Sequence, residues 1–153
     1  MEFSPALSLR AEVLGADLND RHIQAKTIPN SEDQHVTMGF RVPQGTSTVR
    51  IRTRNDFGLT LAFTMPPLGS SSRGLRITSE TWNAKRDTLA LEVSGLAGSE
   101  YDLNIWNGGQ IVSADGAELI KNQNGRNALR IRFAPGSEDF YTHTKVVLGF
   151  SPK

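Results

Sequence analysis

The amino-acid sequence predicts an all-β fold: an antiparallel β-sandwich of about ten strands, with an immunoglobulin-like or jelly-roll arrangement. Apolar and polar residues alternate along successive segments, as they do in strands with one buried and one solvated face. Short groups of Gly, Pro, Asn and Asp separate these segments and are typical of turns. No segment shows the apolar spacing of three and four residues that an amphipathic helix requires.

The strand candidates follow one another along the chain, except in the polar residues 16–34, where we expect only a short strand near Arg21–Lys26. Their apolar residues mark the segments Leu7–Val13, Val36–Val42, Val49–Ile51, Leu59–Met65, Leu75–Ile77, Leu89–Val93, Tyr101–Ile105, Leu129–Phe133 and Val146–Phe150. Inward positions of these segments should form the core. The residues that we expect there are Val49, Ile51, Leu91, Leu103, Ile131 and Leu148.

A chain of 153 residues is long enough for one domain with a substantial core. Residues 66–74 have the Pro, Gly and Ser content of a linker or of a crossover between sheets. As a linker they would separate sub-domains 1–65 and 75–153, but the first of these offers few strands for an independent core. We therefore expect a single β-sandwich module over residues 1–153 and keep the two-part division as the alternative.

Charge and cysteine content exclude several classes of protein. The chain carries 17 basic and 16 acidic residues and no cysteine. The balanced charge predicts no nucleic-acid partner, and the missing thiols exclude disulfides and cysteine ligands. No apolar run approaches the length of a membrane span, so we expect no membrane partner.

Recognisable catalytic motifs are missing from the sequence. The three histidines form no His-Glu-x-x-His metal motif, and no Gly-x-Ser-x-Gly nucleophile motif occurs. Asp33 and His35 would share one face of a strand, which a polar pair on the protein surface also explains. We therefore expect no enzymatic activity and assign no catalytic residue.

Two oxygen-rich clusters raise the question of a structural calcium ion. They consist of Asp17, Asn19 and Asp20, and of Asn122, Asn124 and Asn127. Calcium takes six to eight oxygen ligands, and neither cluster matches an EF-hand loop. Asp and Asn are also the usual residues of turns. We expect no cofactor, keep structural calcium as the alternative, and leave metal ligands unassigned.

Both tryptophans fall on the solvent-facing side of their strands. If Leu75 and Ile77 point inward, Trp82 points outward. If Leu103 and Ile105 point inward, then Asp102, Asn104 and Trp106 point outward. An exposed indole beside amide and carboxylate groups suits the stacking and hydrogen bonding of a sugar ring. The alternative is that a bulge or strand end reverses a tryptophan so that it covers the core.

Arginines form a second surface feature. Arg50, Arg52 and Arg54 share one face of a strand, and Arg130 and Arg132 share another. On neighbouring strands these guanidinium groups would bind an acidic glycan, and Arg52 is our candidate ligand residue. The alternative is that they pair with acidic residues such as Glu12 or Glu92 across a solvated sheet.

The second half of the chain resembles a known class of domain. The segments that carry the resemblance are Gly74–Trp82, Leu89–Leu103 with its Gly-x-x-Gly-x-x-Tyr hairpin, and Lys145–Phe150, and more loosely Val36–Gly58. They are similar to accessory C-terminal β-sandwich domains of bacterial multidomain carbohydrate-active enzymes. The resemblance implies a secreted polysaccharide-active parent protein, located extracellularly or in the periplasm, and a polysaccharide or oligosaccharide ligand.

From the residues and the resemblance together we expect a non-catalytic carbohydrate-binding module. The candidate ligand-binding residues are Trp106, Asn104, Asp102, Trp82 and Arg52. Two alternatives stay open: a purely structural β-sandwich that supports a catalytic domain of the same parent protein, and an adhesion or scaffold domain. Fold class alone does not choose among these three functions.

Overall fold

The computed structural model describes residues 1–61, 66–70, 72–121, 127–137 and 140–152. Within these ranges the protein is almost entirely β, and its strand pairs are antiparallel. The predicted all-β antiparallel fold is therefore confirmed. The described residues form fifteen strands, more than the ten or so that were predicted. The difference arises because several short strands lie within or between the predicted segments.

The chain divides into two compact units, Met1–Phe57 and Gly58–Lys153. The strands of the first unit are β1 (Glu2–Phe3), β2 (Ala6–Ser8), β3 (Glu12–Leu18), β4 (Arg21–Ile23), β5 (Lys26–Pro29), β6 (Asp33–Gly39) and β7 (Val49–Arg54). Strands β1, β2 and β5 each pair with β6, and β3 lies between β4 and β7.

The apolar core of the first unit forms around Ala16, Val36 and Met38, which are fully buried. Val49 and Ile51 of β7 pack against this cluster but are only partly buried, since β7 lies at the edge of its sheet. The prediction that these two residues belong to the core therefore holds for their contacts but not for full burial.

The strands of the second unit are β8 (Gly58–Leu61), β9 (Arg76–Trp82), β10 (Thr88–Leu96), β11 (Glu100–Trp106), β12 (Ile111–Asp115), β13 (Glu118–Lys121), β14 (Asn127–Arg132) and β15 (Tyr141–Phe150). They form two four-stranded sheets, β12-β15-β10-β9 and β13-β14-β11-β8. A short 3-10 turn, Gly108–Gln110, follows β11. Phe63 and Met65, predicted to extend the strand that begins at Leu59, lie outside the described residues.

Both sheets of the second unit contribute to its core. Leu91 and Leu148 come from one sheet and Leu103 and Ile131 from the other, and each is at most 1% exposed. These four predicted core positions are confirmed. Gly95 of β10 lies where the rings of Tyr101 and Phe133 approach, so that a Cβ there would stand 2.7 Å and 2.4 Å from them.

Residues 66–74, the linker of the two-domain alternative, fall inside the second unit. The Tyr101 hydroxyl donates a hydrogen bond to the Arg73 carbonyl at 2.8 Å. The Tyr141 hydroxyl lies 3.0 Å from the carbonyl oxygens of Ser72 and Gly74. Side chains of β11 and β15 therefore hold this segment, and the boundary between the units comes earlier, after Phe57. That residues 1–153 act as a single module stays a prediction.

Candidate functional site

The outer face of β11 carries the residues that the alternation placed in solvent. Leu103 and Ile105 are buried, while Trp106 leaves 56% of its surface exposed. Asp102 is exposed and Asn104 half-buried. The predicted orientation of all three side chains is thus the observed one, because β11 is regular and pairs without a bulge on both sides.

Trp106 owes its exposure to its neighbour across the sheet. It lies directly opposite Gly58 of β8, and a Cβ on Gly58 would stand 3.9 Å from the Trp106 Cβ. Since glycine has no side chain, β8 leaves the space beside the indole open. Strand β11 ends at Trp106, and the next residue, Asn107, adopts a left-handed conformation with φ 55° and ψ 40°.

The 3-10 turn after β11 brings a third strand to the same place. A Cβ on Gly108 would lie 2.9 Å from the Asn127 Nδ2 atom, so only glycine allows this close approach. Asn127 begins β14 and pairs with Lys121 of β13, whose Nζ atom donates a hydrogen bond to the Asn127 Oδ1 atom. Strands β8, β11, β13 and β14 therefore all contribute to one end of the sheet.

An open hollow lies at this end of the sheet. Its described lining is Thr60, Asn104, Ile105, Trp106, Asn107, Gly108, Gly109, Lys121 and Asn127. The hollow combines an aromatic ring, three side-chain amides, a hydroxyl and an ammonium group. From the alternation of apolar and polar residues, only Asn104 and Trp106 could be predicted to lie on this surface. Lys121 and Asn127 reach the hollow because β13 and β14 pair with each other, which the pattern within one strand does not reveal.

Asp102 lies on the same face but is held by another residue. Arg130 donates hydrogen bonds from Nε and Nη2 to the two Asp102 carboxylate oxygens, at 2.9 Å and 3.0 Å. These bonds lower the pKa of Asp102 below its ordinary value; partial burial opposes the effect, and the charges of Arg130 and Arg132 add to it. Asp102 is not among the residues that line the hollow. Asn104, two residues further along β11, does line the hollow.

Trp82 lies on a different sheet and on the core side of its strand. It pairs with the buried Leu89, its ring centroid is 5.2 Å from that of Phe150, and its Nε1 atom donates to Glu80 at 3.3 Å. The expectation of a solvent-facing Trp82 is wrong because of a bulge. Glu92 pairs with Ser79 but Val93 pairs with Ile77, so one extra residue in β9 reverses the alternation.

The arginines of β7 pair with acidic residues rather than forming an open basic surface. The ion pairs are Arg50 with Asp20 at 2.9 Å, Arg52 with Asp17, and Arg54 with Glu12 at 3.9 Å. Strands β7 and β14 belong to different sheets, so the five arginines do not lie on neighbouring strands. Cross-strand pairing, the alternative interpretation, is the observed one, and Arg52 lies opposite Gly15 in β3.

The first oxygen-rich cluster is engaged in structural contacts. Asn19 and Asp20, with φ values of 48° and 64°, form the two-residue turn between β3 and β4, as in a type I′ hairpin. The Asn19 side chain accepts a hydrogen bond from the Thr48 N–H group. The second cluster cannot be compared, since Asn122 and Asn124 lie outside the described residues.

No group of three or more His, Asp or Glu side chains arranged to hold a metal ion occurs in the part of the chain that the structure describes. Asp33 and His35 stand 3.5 Å apart with both side chains substantially exposed. Across the same residues, no helix has the length and apolar character needed to cross a membrane. Structural calcium stays an untested alternative.

Comparisons with known proteins gave no match at a significant level, whether with family models, with curated proteins or with solved structures. The interpretation of the hollow beside Trp106 therefore depends on the chemistry of its own residues.

Proposed function

We propose that this chain is a non-catalytic carbohydrate-binding accessory module and that the hollow beside Trp106 is its glycan site. The observation that carries the proposal is the exposed indole at the rim of a hollow lined by side-chain amides. An aromatic face stacks on the apolar C–H face of a pyranose ring, while amides and hydroxyls bond to its hydroxyl groups.

The backbone around the hollow favours binding without large rearrangement. Thr60, Asn104 and Asn127 lie on three paired strands of one sheet, and Trp106 ends the central one of them. Side chains held on paired strands lose little conformational freedom when a ligand binds, which lowers the entropic cost of binding. The open shape of the hollow suits a segment within a polysaccharide chain better than a small enclosed ligand.

The resemblance to accessory domains of bacterial carbohydrate-active enzymes agrees with this proposal. The module would belong to a larger secreted protein, extracellular or periplasmic, with a catalytic domain elsewhere in the parent chain. The module's own proposed contribution is binding, as in the accessory domains that it resembles.

Binding should be weak, because a single aromatic platform and a few hydrogen bonds contribute to it. Stacking of this kind is worth on the order of 1 kcal/mol. We therefore expect a Kd between about 1 mM and 1 μM, or about 4–8 kcal/mol of binding free energy.

Affinity electrophoresis against a set of soluble polysaccharides tests the proposal. We expect at least one polysaccharide to retard the wild-type chain, and the Trp106→Ala variant to lose the retardation. Phe140→Ala is the matched control, since Phe140 is also an exposed aromatic residue, at 68%, and does not line the hollow. If no polysaccharide retards the folded wild type, structural support of a partner domain takes the place of this proposal.

A further inference from the structure

Lys121 places one positive charge in the described lining of the hollow beside Trp106. Among its described lining residues, Lys121 is the only one with an ionisable side chain. The Lys121 ammonium group donates to the neutral Oδ1 atom of Asn127 and forms no ion pair in the described part of the chain. A neutral amide accepts a hydrogen bond without balancing the charge, so the ammonium group can also pair with an anionic ligand.

Arginines engage the carboxylates of the neighbouring strands β11 and β13. Asp102 accepts two hydrogen bonds from Arg130, which neutralises it locally. Glu100 and Glu118 each accept a hydrogen bond from Arg132. Glu118 lies three residues before Lys121 on β13, a separation of roughly 10 Å along the strand, and its hydrogen-bond partner is Arg132.

We propose that the sugar bound at this hollow is anionic, with its carboxylate or sulfate group on the Lys121 ammonium and its ring stacked on Trp106. This inference depends on the proposed function, since it names the class of glycan for the same site. A neutral sugar would leave Lys121 without a charged partner in the complex. An acidic sugar would supply a charged partner for the ammonium group, whereas Asp102 and Glu118 already pair with arginines.

The arginines of β7 do not offer an equivalent site. Arg50 and Arg52 each form an ion pair with an aspartate of the first unit, so an anion there would have to displace a carboxylate. Lys121 needs no such displacement.

The test compares three gels, one with a neutral polysaccharide, one with a polyuronate and one with a sulfated polysaccharide. We expect stronger retardation of the wild type by at least one acidic gel, and the two acidic gels distinguish carboxylate from sulfate. Between about 10 mM and about 150 mM salt the screening length falls from about 30 Å to about 8 Å, so this preference should weaken with salt.

Lys121 variants assign the preference to one side chain. Lys121→Met keeps the length of the side chain without its charge and should lower the affinity for the acidic polysaccharide by about two- to fivefold. Lys121→Arg should retain it. Lys145→Met is the matched control, because Lys145 is exposed on β15 in the other sheet.

The outcomes separate this inference from the proposed function. Equal or stronger retardation by the neutral polysaccharide, lost in Trp106→Ala, would overturn the anionic preference and leave the glycan site in place. An acidic preference that survives in Lys121→Met but disappears in Arg52→Ala would place the anion on β7 and overturn the inference. No retardation in any gel would end both.

Discussion

Arg130 binds both carboxylate oxygens of Asp102 across strands β14 and β11, with hydrogen bonds of 2.9 Å and 3.0 Å. The pair gives Asp102 a structural partner within the sheet. A carboxylate with both oxygens occupied by a planar guanidinium group has little capacity left for a ligand hydroxyl. It also makes the stability of the second unit depend on pH.

Replacement of Asp102 should test the pH dependence directly. Because Arg130 lowers the pKa of Asp102 in the folded state, its stabilising effect is present above the unfolded value of about 3.9 and is lost as the pH falls through the lowered folded pKa. We expect Asp102→Asn to lower the free energy of unfolding at pH 7 and to have a smaller effect near pH 2. Urea unfolding at both pH values measures this difference.

Asp115→Asn is the control for that experiment, since Asp115 is exposed on β12 and belongs to none of the ion pairs described above. Affinity for a glycan should be unchanged in Asp102→Asn. An equal loss of stability at pH 7 and pH 2 would contradict the role of the charged pair.

Leu103 should be essential to the core of the second unit. It lies on β11 between β14 and β8 and is 1% exposed. Leu103→Ala removes buried apolar surface and leaves a cavity, so it should cost about 2–5 kcal/mol. Val112→Ala, at a residue that is 68% exposed, should change stability by less than about 0.5 kcal/mol. Comparable urea midpoints for the two variants would place Leu103 outside the core.

Gly95 should not tolerate a side chain. The position of its missing Cβ lies within 3 Å of both the Tyr101 and Phe133 rings, whose centroids are 5.8 Å apart in an edge-to-face contact. Gly95→Ala forces these rings to move and should cost about 1–3 kcal/mol. Gly109→Ala, where a Cβ meets no atom within 4 Å, should be close to neutral. Thermal unfolding of both variants checks the contrast, and a neutral Gly95→Ala would refute it.

Trp82 should affect stability without affecting binding. Its ring packs against Phe150 at the core side of β9, in the sheet that does not carry Trp106. Trp82→Ala should therefore destabilise the protein by on the order of 1–3 kcal/mol, less than a fully buried tryptophan would, because Trp82 is only half-buried. Its retardation by a glycan gel should match that of the wild type. A selective loss of retardation with unchanged stability would restore Trp82 as a second platform.

The alternation of apolar and polar residues is a property of a single strand, so it predicts only those features of the structure that depend on one strand. In β11 the inward Leu103 and the outward Trp106 follow from the two-residue repeat of an extended backbone. The same argument identified the all-β class and the buried positions Leu91 and Leu148. These features need no knowledge of which strands are neighbours.

Features that depend on pairing between distant segments could not be derived in this way. The bulge that turns Trp82 inward exists because Glu92 and Val93 pair with Ser79 and Ile77, which no pattern within β9 reveals. Arg52 is paired rather than open because Asp17 lies 35 residues earlier, and Lys121 reaches the hollow through its pairing with Asn127. Register and partner choice arise from long-range packing, so only the tertiary structure decided which tryptophan is exposed and which basic side chains form ion pairs.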